Sequence, residues 1–318
     1  MRVTLSLSQE AIDLYRKQRI SGKGRLCSRF LADSFIKRGH ELKLIDPLKI
    51  YEKNNQIFAK ESLNFNKYVG GFYGKTENYP LSGDVFFVYN LGEQEGPNVS
   101  ENFLKSLYSL ENQYFSVLNS AESTSYEFKP KQKSLDLPWI PEFKVKSKSN
   151  LISLLKSGKQ IIAKPVIGLG GQGIVFLNDL KKVDFIFKKG LSNFFYEQFV
   201  PADEERRYIF LDNQYVIGRK CGKFGLPGEE HFSSVNLMEG IPKEIELARK
   251  IVKDTGMFFC AVDFRGDYLL EINGSGTGVA PPDPEEVEQL DIYNLSGPVV
   301  MAVEKHIQDK ILKIKEGK

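Results

Sequence analysis

Residues 257–278 read MFFCAVDFRGDYLLEINGSGTG. Two apolar runs, 258–264 and 268–272, flank Arg265, Gly266 and Asp267, which predicts a β-hairpin. Acids are depleted from strands because they fit a half-buried pleated surface badly. Asp263 and Glu271 nevertheless interrupt these runs, and Asn273 follows Glu271 by two residues. Side chains two apart on a strand share a face, so Glu271 and Asn273 project together. A three-residue turn pairs Phe264 with Tyr268 and Asp263 with Leu269, which brings all three oxygen-bearing groups to one side. Glu271 then stands diagonal to Asp263, roughly 7–8 Å away at Cβ. Hard oxygens at that spacing, two of them charged, suit Mg²⁺ carrying nucleotide phosphates. The alternative is a pair of acids on a solvated sheet face. The sequel Gly274-Ser275-Gly276-Thr277-Gly278 favours ligands, since backbone bare of side chains lets a substrate approach closely.

The chain has 318 residues, enough for two or three domains. With 41% hydrophobic and 27% charged residues, its composition is that of a soluble globular protein. A net charge of +3 is too small for a nucleic-acid footprint. Cys27, Cys221 and Cys260 lack metal-ligand spacing and read as reduced thiols, which points to the cytoplasm. No run approaches the ~20 apolar residues of a membrane span, and MRVTLSLSQE lacks a signal-peptide core. His40, His231 and His306 are widely separated, which argues against a zinc site or a Ser-His-Asp triad.

In chain order, a strand over 3–7, a helix from Leu26 to the C-cap Gly39 and a strand over 41–45 make a βαβ unit. Residues 50–59 form a hairpin around Asn54-Asn55. Residues 84–89 are a buried strand, 100–110 a helix capped by Ser100, and 115–118 a strand. Residues 1–120 are therefore one α/β domain. Ser, Thr, Lys and Pro dominate from Ser120 to Pro141, a hinge into a second unit over 121–192. Lys129, Lys131 and Lys133 cluster there, and a solvated basic face accounts for at least two of them. A third unit, 193–318, holds a hairpin about Asp212-Asn213, a helix over 242–255, the opening hairpin and a closing helix over 297–313.

Between strands over 160–164 and 174–177 lies a glycine-rich stretch with Gly168, Gly170, Gly171 and Gly173. It contains G-x-G-x-x-G, but a dinucleotide fingerprint needs a helix directly after the glycines, and here a β-branched run follows. What remains is a hairpin tip whose N–H groups can cradle phosphates, with Lys164 adding a point charge.

These segments together resemble the ATP-grasp superfamily, and within it the prokaryotic glutathione synthetases. KPVIGLGGQGI, YEQFVPA, RRYIFLDNQYV and VDFRGDYLLEIN carry the resemblance, with SGKGRLCSRFLADSFIKRGHELKLID as the first βαβ unit. The fold implied is an α/β N-terminal domain, a small lid domain and a C-terminal antiparallel sheet, with ATP between the last two. By motif, Lys164 and Lys129 contact ATP phosphates and the glycine loop closes over them. Glu197, Gln198, Phe199 and Val200 line the adenine pocket, and Glu205 binds the ribose, with Asp203 and Glu204 as neighbouring alternatives. Asp263, Glu271 and Asn273 hold two Mg²⁺, with Mn²⁺ an alternative metal. Arg207 and Arg219 face the transferred phosphate or the acyl substrate.

The implied reaction is amide or peptide bond formation. A carboxylate attacks the γ-phosphate, and an amine then displaces phosphate from the acyl phosphate. Such chemistry relies on charge neutralisation and positioning. The partners implied are a small-molecule carboxylate and an amine.

Two departures from glutathione synthetases bear on the acyl substrate. The stretch 90–97 carries Glu93 and Glu95 where the family has a basic residue with Asp-Pro-Pro. Ser234-Val235-Asn236 replaces the family's Arg-Gly-Asn, which leaves Asn236, Arg25 or Arg219, and the backbone of Gly274, Ser275 and Gly276, to meet the substrate. A nucleotide-binding module without turnover is the competing class, and an NAD oxidoreductase rests on the literal glycine pattern alone. Substrate identity and oligomeric state, monomer or homo-oligomer, do not follow from the sequence. If the glycine tip closes over phosphates, proteolysis within 168–173 is expected to slow when ATP and Mg²⁺ are added. Equal cleavage with and without nucleotide would count against it.

Overall fold

The βαβ unit read at the N-terminus opens a larger sheet. In the computed structural model β1 (Arg2–Ser6) is followed by α1 (Gln9–Arg16), α2 (Leu26–Lys37) and β2 (Glu41–Ile45). The structure describes residues 1–7, 9–16, 26–66, 71–89, 97–166, 173–202, 204–221, 235–274, 277 and 294–317. β1 runs parallel to β2 on one side and to β6 (Gly83–Phe87) on the other, and β6 runs parallel to β7 (Tyr114–Leu118). Between them β3 (Ile50–Lys53) and β4 (Gln56–Asn66) form the hairpin at Asn54-Asn55. Both asparagines have positive φ, 53° and 58°, as a two-residue turn of matching twist requires. β5 (Gly71–Pro80) extends β4 and was not anticipated, because GFYGKTENYP is polar and lacks an apolar period. α3 (Pro97–Leu110) covers this region of the sheet.

After α4 (Ala121–Ser125) and α5 (Lys129–Lys133) comes a small unit: α6 (Lys148–Lys156), β8 (Ile161–Pro165), β9 (Val175–Leu177), α7 (Leu180–Lys189) and β10 (Phe194–Gln198). Its sheet has the order β10-β8-β9, antiparallel throughout. β10 lies beyond the sequence boundary at 193, yet its register partners are on β8. α7 also went unforeseen, since four lysines break up its apolar stripe; Asp179 caps it, and Val183 and Ile186 face inward.

The last sheet is antiparallel and ordered β13-β12-β11-β14-β15. It comprises β11 (Glu205–Leu211), β12 (Gln214–Cys221), β13 (Val235–Met238), β14 (Phe259–Arg265) and β15 (Tyr268–Asn273), with α8 (Pro242–Thr255) and the closing α9 (Ser296–Lys315). One face buries Tyr208, Phe210, Val262 and Phe264 against Ala248, Ile251 and Val252 of α8. Glu244, in the first turn of α8, fixes the helix: it accepts two hydrogen bonds from Arg206, at 3.0 and 2.8 Å, and one from Tyr208 at 2.7 Å. On the other face Ile209, Leu211, Phe259 and Ala261 join a core with α2, α9 and the first sheet. The N-terminal and C-terminal sheets thus share one apolar interior.

Asn119 stitches that junction. Its Nδ2 donates to the carbonyls of Val88 (3.3 Å), Phe259 (3.1 Å) and Gly274 (2.8 Å), and its Oδ1 accepts from Phe258 (2.9 Å) and Phe259 (3.2 Å). The residue has φ of 53°, a conformation asparagine tolerates better than most. Asn119→Gly, which keeps that backbone without strain, is expected to cost about 3 kcal/mol from lost bonds and stranded polar groups. Asn119→Ala adds roughly 1 kcal/mol of left-handed strain. Urea unfolding measures both, and a glycine variant as stable as wild type would mean that the amide is not a structural tie.

Candidate active site

The turn that carries the acids differs from the expected one. Arg265 pairs with Tyr268 and Phe264 with Leu269, so the turn is the two residues Gly266-Asp267, with Gly266 at φ 57°. A register shift follows, and Asp263 then lies directly opposite Glu271, not opposite Leu269. A two-residue turn alone would have put Asp263 and Glu271 on opposite faces. The bulge at Leu270 restores the parity, which is what such an extra residue does to side-chain direction.

Cross-strand pairing lines up Leu237, Arg219, Arg207, Asp263 and Glu271 in one lateral row over all five strands. Directly paired residues share a face, so two cations and two anions stand side by side. The Arg207 guanidinium is bidentate on Asp263, with Nε to Oδ1 at 2.7 Å and Nη2 to Oδ2 at 2.6 Å. Asn273 Nδ2 donates to Asp263 Oδ2 at 2.9 Å and to Glu271 Oε1 at 3.0 Å. Lys129 Nζ lies 4.0 Å from Glu271 Oε2.

Burial pushes the Asp263 carboxyl above its ordinary range, against the pull of Arg207. Burial acts the same way on Glu271, but Lys129 and Lys164 outweigh it and hold that carboxyl low. Burial lowers the Lys129 ammonium, opposed by Glu271. The donor set fits Mg²⁺: two facing carboxylates and an amide, all hard, with the carboxylates backed by Arg207 and Lys129. Among the described residues no cluster of three or more His, Cys, Asp or Glu could hold a metal, so the described part of the candidate centre supplies two acids.

A second ionic group sits on the small sheet. Lys164 on β8 is diagonal to Glu197 on β10, and Lys164 Nζ is 2.5 Å from Glu197 Oε2. Lys133 Nζ is 2.7 Å from Glu197 Oε1 and 3.2 Å from Glu142 Oε1. Of the three clustered lysines only Lys131 turns outward, to Glu122 at 2.5 Å and over the Tyr126 ring. The expected solvated face for at least two of them is therefore corrected to one. Lys129 and Lys133 lie four apart on α5 and share a side. That spacing was the available signal for Lys133.

The segment 138–143 joins the two sheets. Pro138 and Ile140 exchange backbone bonds with Leu269, while Pro141 O accepts from Gln198 N (2.8 Å) and Phe143 N donates to Tyr196 O (2.7 Å). Phe199 N donates to Gln160 O at 2.9 Å, so the amides of Gln198 and Phe199 are engaged within the protein. Arg265 clasps the next turn: Nε reaches Val200 O at 2.9 Å, Nη1 reaches Glu205 Oε1 at 3.0 Å, and the guanidinium lies 5.4 Å from the Phe199 ring. Glu205, expected at a ribose, is held by this arginine, a contact the sequence did not reveal.

Two substrate expectations need correction. Gly274 is walled in by protein: a Cβ there would come within 2.8 Å of Glu127 Oε1 and 3.1 Å of Met257 Sδ. Its N–H goes to Glu127 and its carbonyl to Asn119, so the close approach it permits is made by the chain itself. Asn236 pairs with Lys220, one step out of register with the Arg219 row, and therefore lies on the opposite face. Gly173 has φ 75° and abuts Pro165. Arg25, Gly168, Gly170, Gly171, Ser275 and Gly276 lie outside the described residues, as do Glu93 and Glu95. β9 follows the glycines where a dinucleotide fingerprint needs a helix, which removes the NAD alternative.

No family model matches the chain. The chain is 25% identical over 301 residues to a glutathione synthetase of Wigglesworthia glossinidia brevipalpis, covering 86% of this chain and 90% of that protein. Among solved structures, the ATP-grasp ligase PsnB complexed with minimal precursor, Mg and ADP is similar, with TM-score 0.59 at 15% identity over 96% of this chain and 98% of that one. D-alanyl-alanine synthetase A from Vibrio cholerae gives TM-score 0.61 at 14% identity over 97% and 99%. The chain has the ATP-grasp fold. In sequence this chain resembles glutathione synthetase.

If the facing acids are metal ligands, Glu271→Gln is expected to leave the protein folded. It is also expected to remove the extra protection that Mg²⁺ adds to ATP. Survival of that Mg²⁺-dependent increment in a thermal-shift titration would exclude Glu271 as a ligand.

Proposed function

We propose that this ATP-grasp chain is an ATP- and Mg²⁺-dependent ligase that joins a carboxylate to an amine through an acyl phosphate. The observation that carries this is the row Arg219, Arg207, Asp263, Glu271, with Lys129 beside its acidic end. Charge runs along it from anion-binding to cation-binding, the sequence that a carboxylate approaching a metal-bound triphosphate requires. Asp263, Glu271 and Asn273 would hold the metal, two Mg²⁺ or Mn²⁺ in our reading, which neutralises phosphate charge when bound. Lys129 and Lys164 would face the phosphates. Arg207 and Arg219 would receive the acyl carboxylate and the transferred phosphoryl group. The acyl carboxylate oxygen bonds to the γ-phosphorus as ADP leaves. The amine nitrogen then bonds to the acyl carbon, phosphate leaves, and the amine gives up a proton.

Among the described residues no helix is long and apolar enough to cross a membrane. The reaction belongs in the cytoplasm on this reading, where ATP is at hand and a thiol such as buried Cys260 stays reduced. The chemistry is glutathione synthetase-like, and the acyl pocket is what separates this chain from that activity. Glu93 and Glu95 stand where the resemblance calls for a basic grip, so γ-glutamylcysteine is expected to be a poor acyl substrate. ADP formation, measured with ATP, Mg²⁺ and panels of acids and amines, tests both points. Panels should include γ-glutamylcysteine with glycine, D-alanine with itself, and peptides bearing side-chain carboxylates. Turnover is expected with at least one pair, and γ-glutamylcysteine with glycine is not expected to be the best. No ADP formation with any pair would favour a nucleotide-binding module without turnover. Clear preference for the glutathione pair would overturn the pocket argument alone.

A further inference from the structure

The Glu197 side chain is 2% exposed and has an ammonium against each oxygen, Lys133 at 2.7 Å and Lys164 at 2.5 Å. The two lysines are mounted differently. Lys164 is one residue from the end of β8, where the chain leaves for the glycine-rich stretch. Lys133 ends α5, whose neighbouring Gln132 is bonded to β15 in both directions: Nε2 to Ile272 O at 2.6 Å and Ile272 N to Oε1 at 3.1 Å. Lys133 also touches Glu142 at 3.2 Å and lies 4.8 Å from the Trp139 ring centroid. Its side chain is 10% exposed. Burial alone would raise the Glu197 carboxyl, but the two lysines together outweigh it and hold that carboxyl below its ordinary range.

The proposed function sends Lys164 to the phosphates of ATP, and this inference rests on that assignment. A single ammonium cannot fully serve a buried carboxylate and a polyphosphate at once. A buried carboxylate stripped of its counter-charge is strongly unfavourable. With Lys164 as the sole partner of Glu197, nucleotide binding would carry that penalty. We propose that Lys133 is a positioning residue that stays on Glu197 as its resident counter-ion, so that Lys164 can exchange the carboxylate for nucleotide phosphates. Lys133 is suited to remain because Glu142, Trp139 and the Gln132 anchor hold it in place. Lys164 is suited to move because, among the described residues, Glu197 is its one ion-pair partner.

The test is calorimetric titration of wild type, Lys133→Met, Lys133→Arg and Lys133→Met/Glu197→Gln with Mg²⁺·ATP and with adenosine. Lys133→Met is expected to weaken ATP on the order of tenfold or more, the scale on which a buried ion pair resists losing its partner. Adenosine, which has no phosphate to draw Lys164 away, should bind as to wild type. Lys133→Arg should retain ATP affinity, and the double variant should regain the wild-type ratio of ATP to adenosine affinity, because no carboxylate is left to strand and any loss at the adenine pocket, which Glu197 lines, falls on both ligands alike. A purely structural lysine would weaken ATP and adenosine together and would not be rescued by Glu197→Gln, which would overturn the role. Wild-type ATP affinity in Lys133→Met would overturn it as well. Should Lys133→Met fail to fold, the arginine and double variants make the same comparison, and a double variant that binds adenosine but not ATP overturns the role. Wild type that binds no ATP overturns the ligase assignment itself, and this role with it.

Discussion

Two carboxylates facing each other on one side of a sheet are the constraint on which the remainder of this molecule depends. Directly opposed residues have Cβ atoms about 5 Å apart. At that separation two unit charges repel by roughly 3 kcal/mol even at an effective dielectric near 20. Asp263 and Glu271 can be kept together because the neighbouring strand supplies Arg207, the same strand supplies the Asn273 amide, and α5 supplies Lys129. Each of these comes from a different part of the chain. The sheet and the helix α5 thus meet at one pair of charges.

The same sheet face changes character along its strands. Arg207 and Asp263 are followed, two residues on in one direction or the other, by the paired Ile209 and Ala261, which sink into the core shared with α2 and α9. Ionic chemistry at one end and apolar packing at the other lie on one continuous surface. The rigid end fixes the backbone from which the charged end projects, as a binding constellation on strands requires. Across the sheet, Glu244 bonded to Arg206 and Tyr208 keeps α8 in register with the same strand that bears Arg207.

Much of this was legible from residue pattern. The hairpin, the common side of Glu271 and Asn273, and the strand after the glycines all follow from period-two alternation and from β-branched runs. Where the sequence misled, the cause was tertiary. Nothing local announces the bulge at Leu270, which changes the turn length and the partner of Asp263 together. Gly274 looked like room for a ligand, but Met257 and Glu127, the latter 147 residues away, occupy that room. Lys133 was hidden among three lysines because burial distinguishes them and composition does not. β5 and α7 were missed for a related reason: polar or lysine-rich stretches become regular when a partner strand or a sheet accepts them.

The ties around β15 also bear on the order in which the molecule can be made. Asn119 reaches Phe259 across 140 residues, Gln132 reaches Ile272 across 140, and Glu127 reaches Gly274 across 147. Contacts so distant in sequence carry a high closure entropy and form late. On the ribosome the first sheet can assemble while the acidic hairpin has yet to be synthesised, leaving Asn119, Glu127 and Gln132 as polar side chains awaiting an edge to bond. The charged face thus becomes competent late, and a nascent chain cannot present its paired carboxylates before both earlier sheets have been synthesised.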